Sequence, residues 1–262
     1  MPRGRCSDSE NKLFRPTVTQ VTDSIFEVID RISRATRFEE GNDVLRRAII
    51  EMGLSHVAYA ALNLPSIKRV RPLVAITYAA EWQKHYEQEG YVNVDPVVRA
   101  GLGGVLPVDW SKIRSDDPLV LKFLGEAQEF KIGRAGLSIP TRGKHGEFAL
   151  FTVTAEVSPS EWQKRLNYLS RELMLLAYQF HDWAIKVEGI GADISFDLLS
   201  TREKDCLRWR SQGKTDWEIS QLIGISQSTV KFHLENSRAK LGATNTIHAV
   251  SKAIVHGLIS IP

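Results

Sequence analysis

Two groups of residues in this chain have the types and spacing to do chemistry by contact. The first is Tyr78, Trp82, Tyr86, Asp95, Trp110 and Thr152. An indole N–H only donates a hydrogen bond, an ionised carboxylate only accepts, and phenol and threonine hydroxyls do either. Set among apolar residues, a few such groups can orient a small molecule. Each member also has a plainer role. Tyr78, Trp82 and Tyr86 lie four apart and can form one buried helix stripe. Asp95-Pro96 is an N-cap followed by proline at the first helical position. Thr152 stands in a strand-like run, where threonine is common for its branching alone. On these residues alone, the stripe is the simpler reading.

The second group lies in the last quarter of the chain. Gln227, Ser228, Lys231, Phe232 and Glu235 fall near the start of one helical pattern, with Thr229 on the same polar face, and are candidates for base edges. Lys214, Thr215, Arg238 and Lys240 are candidates for phosphate oxygens. Local signals place them. Ser200 with Glu203 and Thr215 with Glu218 read as capping boxes, and Ser226 reads as a third N-cap. Helices are expected from Ser200 onward through Leu207, and at about 216–223, 227–241 and 246–256. Gly224-Ile225-Ser226 is a tight turn with glycine placed for a left-handed conformation. Two helices joined this way form a helix-turn-helix, whose second helix enters the major groove of DNA. By periodicity Val230, Leu234, Ala239 and Leu241 face the core. The alternative is a small helical docking domain with a solvated charged face. Charge bears on the choice: residues 195–262 hold nine Lys/Arg and six Asp/Glu, so the net +3 of the 262-residue chain resides there, and the rest is neutral.

The elements before that quarter read differently. Helical spacing runs through Ile25–Ile32 and Val44–Met52. Residues 56–64 and 73–78 read as strands, 79–90 and 118–130 as helices. Residues 135–156 read as a hairpin turning at Gly143–Gly146. A long helix starts at Ser158, with Glu161 completing an expected capping box, and runs to about Val187. The fold class is therefore α+β: an N-terminal α-β-α sandwich with a mainly antiparallel sheet, then an all-α four-helix domain. The expected divisions are a flexible extension over 1–18, a first domain over 19–187, a linker over 188–197 and a second domain over 198–262.

Enzyme chemistry has little support. The seven histidines are scattered, with His85 and His181 read as surface or helix-face residues. There is no HExxH, Gly-x-Ser-x-Gly or Walker A motif, no dinucleotide fingerprint and no cofactor motif. Cys6 and Cys206 have no metal-ligand spacing, and Cys206 reads as inert core. No signal peptide or membrane span is evident, so a cytoplasmic protein without membrane contact is expected.

The run from Leu199 to Gly242 resembles the DNA-binding domain of LuxR-type regulators, with the signature on Glu203, Leu207 and Gly213 and on the TVKFH run at 229–233. Residues 78–110 resemble the ligand-binding domain of the quorum-sensing members, with Tyr78, Trp82, Tyr86, Asp95-Pro96 and Trp110 on the family pattern. Gly136 and Thr152 continue it. The resemblance implies an N-acyl-homoserine lactone as ligand. Trp82 would donate to the lactone carbonyl, Asp95 would accept from the amide N–H, and Tyr78 and Thr152 would donate to the amide carbonyl. Tyr86 and Trp110 would wall the site. Ala60, Leu62, Val94, Val97, Leu121 and Phe151 would shape the acyl-chain space. It also implies a homodimer on palindromic double-stranded promoter DNA, acting as an activator with RNA polymerase. Two alternatives keep the same architecture: a non-lactone signal, or DNA binding that the ligand releases.

Overall fold

Alternation along the strands decides which side chains share a face, because successive residues of a strand point to opposite sides. The computed structural model describes residues 18–64, 72–143, 146–190 and 198–260. The N-terminal part contains α1 (Val18–Ser33), α2 (Phe38–Glu51), β1 (His56–Asn63), β2 (Leu73–Ile76), α3 (Ala80–Gln88), α4 (Pro96–Gly103), β3 (Val108–Asp109), α5 (Pro118–Glu129), β4 (Ala135–Arg142), β5 (Phe148–Ala155) and α6 (Pro159–Val187). The strands form one sheet in the order β2-β1-β5-β4-β3, antiparallel throughout.

One face carries Val57, Tyr59 and Ala61 of β1, Phe151 and Val153 of β5, and Leu137 and Ile139 of β4. It packs against α1, α2 and α6 in a core that includes Ile25, Leu45, Trp162, Leu173 and Phe180. The other face turns Ala58, Ala60, Leu150 and Thr152 toward α3, α4 and α5. This is the α-β-α sandwich expected from the residue pattern. Phe151 is fully buried on the α6 side, so it does not reach the opposite face, and Leu121 of α5 points to solvent at 54% exposure. Both departures are steps of face: one residue along a strand reverses it, and one or two residues along a helix turn a side chain away from the core. Leu62 is not described at side-chain level.

His181 is buried in the α6 layer, against the surface reading. Its Nδ1 meets the Tyr59 hydroxyl at 2.8 Å, and burial pushes its pKa below the ordinary value. The box expected at the start of α6 is half formed. Ser158 Oγ accepts from the Glu161 N–H at 3.3 Å, but the Glu161 carboxylate turns to Arg165. Past Val187, Ile190 still packs into the main core. Residues 191–197, the rest of the expected linker, lie outside the described residues. So does the expected extension, apart from Val18, which opens α1.

The C-terminal part is all-helical: α7 (Thr201–Ser211), α8 (Asp216–Ile223), α9 (Gln227–Lys240) and α10 (Thr246–Val255). Its core joins Leu199, Cys206, Leu207, Ile219, Val230, Leu234 and Ala249. Burial raises the Cys206 thiol to about 11, so it is an inert core group. Both capping boxes are complete, each contributing about 1 kcal/mol. Gly224 takes the left-handed conformation at φ +67°. Ala239, expected in the core, is exposed on α9. Among the described residues no helix is long and apolar enough to cross a membrane.

Candidate ligand cavity and nucleic-acid interface

Between the sheet and α3–α5 lies a cavity of about 560 Å³, within the range of small-molecule sites. Tyr78, Trp82, Tyr86, Asp95, Trp110 and Thr152 all line it, from five separate segments. The apolar wall includes Ala58, Ala60, Val74, Ile76, Val97, Leu124 and Leu150. Of the residues expected to shape a chain, Ala60 and Val97 are on the wall. Val94 packs beside it among the aromatic residues.

Asp95 does two jobs. Its Oδ1 caps α4, accepting from the N–H of Val97 at 2.8 Å and of Val98 at 3.4 Å, while Oδ2 accepts from the Tyr86 hydroxyl at 3.0 Å. The plainer cap reading and the site reading therefore hold together in one side chain. Burial raises the Asp95 pKa above the ordinary carboxylate value, against the hydrogen bonds from Val97, Tyr86 and Val98. Burial, then the Asp95 charge, push Tyr78 and Tyr86 well above the ordinary phenol value, so both keep their protons. Among the described residues, the Trp82 indole N–H and the Tyr78 hydroxyl meet no protein acceptor, although Trp82 is only 3% exposed.

The Trp82 ring sits in an aromatic box. Phe130, Tyr86, Phe123, His85 and Tyr91 surround it at centroid distances of 5.2 to 6.2 Å. A polar clasp holds the box shut. His85 Nε2 meets Glu126 Oε2 at 2.6 Å, the Tyr91 hydroxyl donates to the same carboxylate, and Lys122 pairs with Glu89 at 2.7 Å. His85 is thus a half-buried structural group. The hydrogen bonds from Tyr91 and His85 hold the Glu126 pKa below its ordinary value.

Trp110 lies flat on Gly136 of β4. A Cβ there would come within 2.4 Å of the ring, so only glycine admits it. Its N–H donates to Ser138 Oγ at 2.9 Å, and Ser138 Oγ meets Thr152 Oγ1 at 2.8 Å. Asp109 anchors the turn carrying Trp110 to α6: it accepts from the Trp162 indole at 3.2 Å and from Gln163 at 3.1 Å. Burial alone would raise the Asp109 pKa, but hydrogen bonds from Gln163, Ser111 and Trp162 hold it low. Sequence reasoning missed Ser138 and Asp109. The only local signal for Ser138 is a hydroxyl between Leu137 and Ile139 in a strand; Asp109 carries the weak signal of an N-cap.

On the C-terminal domain, Gln227, Ser228, Lys231, Phe232, Glu235 and Arg238 are exposed along α9, and Thr229 is half-buried beside the Ser226 cap. Phe232 is 59% exposed, an apolar group of the kind that meets a thymine methyl. Two of the expected phosphate groups are already engaged. Lys240 Nζ pairs at 2.8 Å with Glu203, and the Thr215 hydroxyl both accepts from the Glu218 N–H and donates to its carboxylate. Lys214 lies 3.6 Å from Glu218. The Thr215 pairing is the capping box read from the sequence, whereas periodicity cannot show the Lys240 pairing, since Glu203 and Lys240 come from different helices.

An apolar cavity with a few oriented polar groups, followed by a helix-turn-helix, defines a ligand-responsive transcription regulator. Comparison with known proteins agrees. Residues 38–184 match the autoinducer binding domain, and residues 197–253 match the bacterial regulatory proteins of the luxR family. The transcriptional activator RaiR of Rhizobium etli is 36% identical over 194 residues, 74% of this chain and 80% of RaiR. The fold matches SdiA of Escherichia coli with a TM-score of 0.60 at 21% identity, over 90% of this chain and 98% of SdiA. It also matches CepR2 of Burkholderia cenocepacia, an N-acylhomoserine-lactone-dependent factor, with a TM-score of 0.53 at 20% identity, over 64% of this chain and 98% of CepR2. The chain belongs to the LuxR family: it is a quorum-sensing transcriptional activator with an autoinducer-binding domain and a DNA-binding helix-turn-helix.

Proposed function

We propose that the cavity takes an N-acyl-homoserine lactone. One observation carries this reading: the wall is mostly apolar, and its polar groups are the buried Asp95 carboxylate and several donors, with Gln83 and Glu87 exposed. That is the complement of a molecule with two carbonyl oxygens, one amide N–H and a hydrocarbon chain. Asp95 accepts the amide N–H through Oδ2. Trp82 donates to the lactone carbonyl, and Tyr78 and Thr152 donate to the amide carbonyl. Tyr86 and Trp110 wall the ring. A buried polar atom left without its bond costs about 1–3 kcal/mol, so the match in donors and acceptors governs affinity.

Residues 19–187 form the signal domain and 198–262 the DNA-reading domain. Binding of the lactone to the folded state alone stabilises it by mass action. The loaded protein then acts in the cytoplasm as a homodimer on a palindromic operator and engages RNA polymerase. Gln227, Ser228, Lys231, Phe232 and Glu235 read base edges, while Arg238 and Lys214 hold phosphates. The test is calorimetric titration with lactones of graded chain length, followed by operator binding with and without the best of them. Saturable binding that raises operator occupancy is expected. No binding across the series, or equal solubility, dimerisation and operator binding without lactone, overturns the reading.

A further inference from the structure

The hydrogens around Thr152 can be counted. The Trp110 indole can only donate, so Ser138 Oγ accepts from it. Ser138 is fully buried and does not line the cavity. Among the described residues its one other side-chain partner is Thr152 Oγ1, its cross-strand neighbour in the β4–β5 register. Were Thr152 to donate to Ser138, the Ser138 proton would be buried without an acceptor, an arrangement folded proteins avoid. Ser138 therefore donates to Thr152. Thr152, which lines the cavity, is left with its own proton to offer there.

We infer that Ser138, held by Trp110, is a specificity-determining positioning residue: it commits the Thr152 hydroxyl to donate, so this wall takes a ligand carbonyl oxygen and disfavours a ligand donor. The inference rests on the lactone reading above and deepens it. Ser138 touches no ligand and acts only through Thr152. The chain of hydroxyls also polarises along its length, since each accepted bond strengthens the bond donated next. The Gly136 contact serves the same end, because a side chain there would lift Trp110 and free Ser138 to turn.

A double-mutant cycle on the full chain tests this, with N-octanoyl-L-homoserine lactone as probe and calorimetry as readout. Ser138→Ala should weaken binding about fivefold, the size of one neutral hydrogen bond. In a Thr152→Val background it should change nothing further. Ser138→Thr keeps the hydroxyl and should restore affinity. Isotope-edited infrared of a lactone labelled at the amide carbonyl gives a second readout. The stretch of the bound carbonyl should rise in frequency in Ser138→Ala and return in Ser138→Thr. Equal losses in both backgrounds, or an unmoved carbonyl stretch, overturn the inference while leaving the lactone site standing. Failure of the unaltered protein to bind the probe or its chain-length relatives overturns the lactone reading, and this inference with it.

Discussion

Two buried carboxylates show how differently the two halves of this protein are finished. Glu203 in the C-terminal domain has every partner supplied by the chain. It accepts from the Ser200 N–H at 2.7 Å and pairs with Lys240 at 2.8 Å. Among the described residues, Asp95 in the N-terminal domain has no cation beside it, only two backbone N–H groups and one phenol. Burial opposes ionisation in both. In Glu203 the bonds from Lys240 and Ser200 win and the pKa is lowered; in Asp95 desolvation wins and it is raised. Glu203 is thus matched within its own helical domain, whereas Asp95 lines a cavity of about 560 Å³ together with Trp82 and Tyr78.

Predictions follow from that contrast, the largest first. Asp95→Asn should reduce lactone affinity about thirtyfold, the size of a hydrogen bond to a charged group. Titration calorimetry measures it, and an unchanged dissociation constant would remove Asp95 from the site. Glu203→Ala should lower the stability of the C-terminal domain by about 2 kcal/mol, a capping contact and an ion pair together, without changing lactone affinity. Denaturant unfolding of the lactone-loaded protein would expose any loss. Trp82→Phe keeps the ring and drops the donor, so a loss of about fivefold in affinity is expected, with the aromatic box intact by near-ultraviolet circular dichroism.

The pH dependence separates the carboxylates by sign. The amide N–H favours ionised Asp95, so lactone affinity should fall as pH drops through the raised Asp95 range. The ligand-free domain should gain stability over the same descent, because the folded state holds the proton more tightly than the unfolded chain, in which Asp titrates near its ordinary 3.8. Glu203 runs the other way. Its contribution is present above the ordinary 4.5 and is lost only as pH falls through its lowered value. An affinity independent of pH, or one that Asp95→Asn leaves pH-dependent in the same range, would break the comparison. The smallest effect is expected from Arg238→Ala, which should flatten the salt dependence of operator binding by about one unit of slope, as loss of one phosphate contact does. No change in binding would place Arg238 off the DNA.

What the residue pattern alone determined is most of what rests on near neighbours in the chain, the half-formed box at Ser158 and Glu161 being an exception. Capping at Ser200, Thr215 and Ser226, the turn at Gly224, and the hairpin between β4 and β5 follow from i to i+3 chemistry and backbone preference. So does the cap at Asp95. The pattern also marked the six cavity residues as a set, but only through a likeness in spacing. Only the tertiary structure decided which neighbours meet across elements. It turned Phe151 and Leu121 away from the cavity, and it buried His181 against Tyr59. It tied Lys240 to Glu203 and placed Ser138 between Trp110 and Thr152. The physical reason is the same in each case. A side chain's face is set by one residue of register or a hundred degrees of helix. Its partner comes from an element far away in sequence, so no local period records the meeting.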